Sequence, residues 1–130
     1  MSDEARRQGH LAVLERYRDA WTGGDFAGLI GLYADDFILH WNGDNPLAGT
    51  HVGKAAAVGA LMEFTRRTDR RLVSVTNIMA DADKGIMIAR ESLAGREVER
   101  VLIYRTDGEK MLECWVLDAD QPYIDSLLKA

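Results

Sequence analysis

The sequence predicts an α+β fold class, with helices first and a curved antiparallel sheet after them. Two observations carry this reading. Through the first half, apolar residues recur at spacings of three and four, as in Leu11, Leu14, Tyr17 and Trp21, which is the stripe of an amphipathic helix. The second half holds the runs RLVSVTNIMA, GIMIARESLA, REVERVLIYR and EKMLECWVLD, rich in β-branched and aromatic residues. Turn signals separate them: Asp83-Lys84-Gly85, Ala94-Gly95 and Asp107-Gly108. Asp-Gly between two such runs is among the strongest short hairpin signals. Helical and strand segments kept apart along the chain pack as an α+β domain.

Taken in order, the first helix ends at Gly23 and Gly24, because glycine just past the last periodic residue relieves a left-handed cap. Asp25 then caps a short second helix with Phe26, Leu29, Ile30 and Tyr33 on one face. Phe37 to Trp41 reads as a strand and ends in a loop of Gly43, Asn45, Pro46 and Gly49. From Lys54 to about Arg67 the run KAAAVGALMEFTRR is rich in good helix formers, with Ala57, Leu61 and Phe64 as its apolar seam. A last short helix follows Pro122 with Tyr123, Leu127 and Leu128 as contacts. A sheet that wraps round the first helix encloses a cavity, and pockets favour such concave, largely apolar places.

The 130 residues suit one domain, 1–130, with one core, and no linker, repeat or low-complexity segment interrupts them. The net charge of −5 lacks the basic balance of a nucleic-acid binder. Arg66, Arg67, Arg70 and Arg71 read as a solvated helix end. The single cysteine, Cys114, allows no internal disulfide and reads as a buried small hydrophobe. The start is charged, without the apolar stretch of a signal peptide, and no window reaches the ~20 apolar residues of a membrane span. The expectation is a soluble, cytoplasmic protein with no membrane partner. His10, His40 and His51 show no metal-ligand spacing, and the glycines match no dinucleotide or phosphate loop, so no metal and no cofactor are expected.

The stretch RYRDAWTGGDFAGLIGLYADDFILHWNG, followed by PLAGTHVGKAAAV, resembles the SnoaL-like branch of the nuclear transport factor 2-like superfamily. A second anchor is DGEKMLECWVLDADQPYIDSLL, similar to the family's closing strand and the acidic start of its last helix. The resemblance runs from about residue 10 to the C-terminus. It implies a cone-shaped α+β domain and a homodimer through the outer face of the sheet. Ketosteroid isomerases, limonene epoxide hydrolase and polyketide cyclases share that fold.

Matched without gaps, the isomerases' hydrogen-bonding tyrosine falls on Tyr17 and their proton-shuttling aspartate on Trp41. Indole has no proton to take up near neutral pH, and a positioned general base is commonly worth about 10²- to 10⁴-fold. The isomerases' second oxyanion donor falls within Val101 to Tyr104, where no acid stands, though Tyr104 can donate if it faces inward. Limonene-type hydrolysis needs an Asp-Arg-Asp set. One aspartate position is Leu117 here, and the Arg-x-Asp pair is matched at best by Arg90-Glu91-Ser92. Both chemistries are therefore disfavoured.

Alternation along the strand puts Phe37, Leu39 and Trp41 on the cavity side and turns His40 to the other face, unless a bulge intervenes. The expected ligand site comprises Tyr17, Trp21, Leu39, Trp41, Trp115 and Leu117, holding a small apolar or aromatic molecule. Tyr17 is either a ligand contact or a satisfied core tyrosine. His40 is either a structural or dimer-face residue or a pocket-rim proton shuttle. The catalytic candidates are thus Tyr17 and His40. Asp35-Asp36 and Asp118 with Asp120 read as helix-end acids. The expected function is an apolar-ligand pocket, with or without isomerase or cyclase chemistry; the alternative is a non-catalytic dimeric module for a ligand or another protein.

Overall fold

The structure is a computed structural model that describes residues 2–129. The elements run α1 (Asp3–Thr22), α2 (Phe26–Gly31), β1 (Tyr33–Trp41), β2 (Gly49–Val52), α3 (Lys54–Thr68), β3 (Arg71–Ala80), β4 (Gly85–Leu93), β5 (Arg96–Thr106), β6 (Met111–Asp118) and α4 (Gln121–Lys129). The strands form one curved sheet in the order β2-β1-β6-β5-β4-β3.

Local chemistry sets the helix ends. The Ser2 hydroxyl caps α1 by accepting from the Ala5 amide, and the Asp25 carboxylate caps α2 by accepting from the Gly28 amide. The buried stripe of α1 is His10, Val13, Leu14 and Tyr17, which lays the helix across the concave face of the sheet. It comes close enough that a Cβ on Gly85 would stand 2.7 Å from Leu14 Cδ2, so a residue without a side chain sits at that crossing. His10 is buried there, with Nδ1 2.6 Å from the Thr106 hydroxyl and Nε2 3.1 Å from the Ala82 carbonyl. α3 buries Ala57, Ala60 and Phe64, and α4 buries Ile124 and Leu128.

The meander β3-β4-β5-β6 is antiparallel, while β1 pairs with β6 in parallel and carries β2 on its outer edge. β1 begins at Tyr33, which the helical periodicity had assigned to α2. Its register against β6 shifts between Tyr33 and Ile38, and the bulge leaves Asp35 and Asp36 exposed rather than capping a helix. The bulge lies before Phe37, so Phe37, Leu39 and Trp41 still share the buried face.

The β4–β5 hairpin closes through Ala94 and Gly95, with φ of 50° and 84°. Paired positive φ values match the right-handed twist of the strands, but a Cβ in the left-handed region costs about 1–2 kcal/mol. Ala94→Asn or Ala94→Gly is therefore expected to stabilise the fold by about 0.5–1 kcal/mol, read as a higher urea midpoint at unchanged slope.

Candidate functional site

Ladder register decides which side chains meet. Leu39 is level with Cys114 and Cys114 with Tyr104; Trp41 is level with Val116 and Val116 with Leu102; Asp118 is level with Arg100. These rows form the inner face beneath α1 and α3. Between α1, α2, α3 and the start of β3 lies a cavity of about 390 Å³, walled by Tyr17, Trp21, Leu29, Tyr33, Leu61 and Arg70 among others. A deeper hollow of about 20 Å³ shares Tyr17, Tyr33, Leu61 and Arg70 with it and reaches Leu39, Trp41, Arg100 and Tyr104. Its size suits a single small polar atom group, about that of one water.

Polar groups converge where the two spaces meet. The Tyr17 and Tyr33 hydroxyls lie 2.5 Å apart, and the Tyr17 and Tyr104 rings are 5.7 Å apart, centre to centre. Burial pushes all three tyrosines above the usual phenol range, so each hydroxyl keeps its proton at neutral pH. Burial also pushes the Cys114 thiol up to about 12, which leaves it inert as a nucleophile. Trp41 Nε1 is buried and has no hydrogen-bond acceptor.

Behind this cluster runs a buried chain of charge. Glu91, fully buried, bridges two arginines: one carboxylate oxygen takes Arg70 Nε and the other lies 3.4 Å from Arg100 Nη1. Arg100 then donates to Asp118 through Nε at 2.6 Å and Nη2 at 3.3 Å. Phe64 lies under both guanidinium groups, and Trp21 lies under that of Arg70. These contacts correct two readings of the sequence. Arg70 leaves the solvated basic cluster and turns inward, with its side chain 14% exposed. Asp118, read as a helix-end acid, is 2% exposed and serves Arg100, whereas Asp120 does cap α4 by accepting from the Tyr123 amide.

The expected ligand-site residues divide. Tyr17 and Trp21 wall the larger cavity, while Leu39 and Trp41 reach only the deeper hollow. Trp115 and Leu117 line neither, because they alternate with the inward Cys114, Val116 and Asp118 and so face outward. His40 is level with Trp115 and stacks on it, with ring centres 5.1 Å apart and planes 13° apart. Its Nε2 meets the Glu113 carboxylate and its Nδ1 lies 3.1 Å from the Thr50 hydroxyl. Burial would raise the Glu113 carboxyl, but hydrogen bonds from His40 and Arg105 override this and hold it below its usual range. The geometry thus separates Tyr17 from His40 by the thickness of the sheet. Among the described residues, no group of three or more His, Cys, Asp or Glu side chains is placed to hold a metal ion. No helix of the described residues is long and apolar enough to cross a membrane.

The model of the SnoaL-like domain matches residues 14–114, most of the chain. The chain belongs to the SnoaL-like family. Solved structures agree on the fold. A Xanthomonas campestris protein of unknown function with a cystatin-like fold is 23% identical, with a TM-score of 0.83, over 93% of this chain and 98% of that one. A nuclear transport factor 2-like protein from Burkholderia xenovorans is 20% identical, with a TM-score of 0.72, over 95% of this chain and 98% of that one. TerC, co-crystallised with polyporic acid, is 13% identical, with a TM-score of 0.74, over 92% of this chain and 98% of that one. The curated proteins give no match. In this SnoaL-like chain Tyr17 walls the cavity, and among the described residues no carboxylate or imidazole does. Its inner-face acids, Glu91 and Asp118, are both engaged by arginine.

Proposed function

We propose that this SnoaL-like protein binds a largely apolar small molecule, of aromatic-ring size, in the cavity between α1, α2 and α3. The observation that carries the reading is the cavity itself. Its volume of about 390 Å³ falls in the range of small-molecule sites, and its wall is mostly Trp21, Phe26, Leu29, Ile30, Leu61 and similar side chains. Tyr17 and Tyr33 supply hydroxyl groups that orient a carbonyl or hydroxyl of the guest. Acid/base turnover of the isomerase or cyclase kind has less support, since His40 faces away and no free general base stands beside Tyr17. The co-crystal of TerC with polyporic acid fits a ligand-binding role for this fold.

Leu61, on α3, walls both spaces, so Leu61→Trp is expected to fill them from within. Titration with a fluorescent aromatic probe of the anilinonaphthalene type should show saturable binding to the wild type. At least a tenfold loss is expected in Leu61→Trp, with the fold retained by circular dichroism. Equal binding by both proteins would place the probe elsewhere and sink the reading.

The outer sheet face supports a homodimer. Ile86, Ile88, Val101, Ile103, Trp115 and Leu117 form adjacent apolar rows there, with Leu117 38% exposed, and His40, Glu113, Arg105 and Arg90 border them. Sedimentation equilibrium is expected to give twice the 14.5 kDa chain mass, and Trp115→Glu the mass of one chain. A wild-type monomer at high micromolar concentration would remove this part of the proposal.

A further inference from the structure

The cavity is apolar, yet its charged lining has one sign. Arg66 stands at the rim and Arg70 further in, and none of the chain's 21 Asp and Glu residues is among its lining residues. Arg66 is exposed and tied to Glu63. Arg70 is different. Among the described residues its side chain makes one hydrogen bond, from Nε to Glu91, so the donors on both terminal nitrogens have no acceptor there. Neither terminal nitrogen is sealed from open space, for among the described residues Trp41 Nε1 is the one sealed side-chain polar atom without a partner. Both nitrogens belong to a residue that walls the larger cavity and the hollow below it. Trp21 and Phe64 pack on the guanidinium, 5.1 Å and 5.7 Å from their ring centres, and Glu91 holds it in place.

A guanidinium fixed in this way presents a planar fork of donors, the shape that matches a carboxylate or sulfonate with two parallel hydrogen bonds. Arg70 and the three charges behind it, Glu91, Arg100 and Asp118, sum to zero, so what Arg70 offers a guest is directed donors rather than net charge. Glu91 is divided between two arginines and lies behind the fork, outside both sets of wall residues. Tyr17 and Tyr33 stand beside Arg70 and bring further hydroxyls to the same end of the cavity.

We infer that the guest of this cavity is an apolar organic anion, whose oxygens are seated on the two terminal nitrogens of Arg70 while its hydrocarbon part fills the space between α1, α2 and α3. The inference rests on the ligand-binding reading above and adds the chemical class of the ligand.

Two probes with the same aromatic skeleton separate the claims: anilinonaphthalene sulfonate, an anion, and N-phenylnaphthylamine, which lacks the sulfonate. The sulfonate is expected to bind the wild type at least about tenfold more tightly, as charge-assisted hydrogen bonds warrant. Arg70→Lys keeps a positive charge against Glu91 but loses the fork. It should weaken the sulfonate by a clearly larger factor than the neutral probe and so erase most of that advantage. Equal affinities of the two probes for the wild type would overturn the inference while the cavity reading stands. So would sulfonate binding that persists in Leu61→Trp, since the anion would then lie outside the cavity. Binding of neither probe would overturn both readings. Should Arg70→Lys fail to fold, the wild-type affinity ratio and the Leu61→Trp control decide the matter by themselves.

Discussion

Replacing Arg100 with methionine is expected to cost about 3–5 kcal/mol of stability, a large part of the 5–15 kcal/mol typical of a domain. Arg100 is 1% exposed and its acceptors, Asp118 and Glu91, are 2% and 0% exposed. A buried pair gains little over well-packed hydrocarbon, because desolvation offsets most of the attraction. Breaking it is another matter. Glu91 would keep Arg70, but Asp118 would lose both of its hydrogen bonds from Arg100 and remain a carboxylate without a cation. The double variant Arg100→Met with Asp118→Leu should recover much of the loss, having no buried charge left to strand. Urea unfolding at neutral pH measures all three proteins. A single-variant cost under about 1 kcal/mol would show that Asp118 finds solvent or another donor.

That network also marks where reading the sequence stops. The helix stripe around Tyr17, the hairpin at Asp107-Gly108 and the alternation of Phe37, Leu39 and Trp41 are local patterns, and the structure follows them. The inner or outer sense of β6 is not local. Alternation says that Trp115 and Leu117 share a face, but the ladder that sets Leu39 beside Cys114 decides which face it is. The expected ligand site had counted both as inward. Arg70 likewise sits among exposed arginines in sequence, and only its long-range partner, Glu91, shows that it turns into the core. The edge strand β2 has four residues, mostly exposed, and so lacks the apolar alternation that would disclose it. Asp25 and Ser2 show the converse: caps act within three residues, and Asp25 could be assigned from sequence.

Phe64→Ala is expected to destabilise the protein by about 3–5 kcal/mol, through lost burial and the void left behind. The ring is fully buried on the inner side of α3 and does more than fill space. It packs 4.7 Å from the Trp41 ring, centre to centre, and lies 4.6 Å from the Arg100 guanidinium and 5.7 Å from that of Arg70. Both guanidinium groups thus rest on one aromatic ring, and removing it leaves them beside a void at the point where the charge network meets the core. Phe64→Leu keeps most of the hydrocarbon but no π face, so it separates the two contributions. A cation–π contact in a desolvated setting is worth about 2 kcal/mol, and Leu should recover the remainder of the Ala deficit. If Leu matches the wild type in urea unfolding, the ring acts as volume only, and the arginines are held by Glu91 and Asp118 alone. If Leu falls as far as Ala, the aromatic face is what allows two guanidinium groups to be buried under α3, and the fork that Arg70 offers the cavity depends on Phe64 as much as on Glu91.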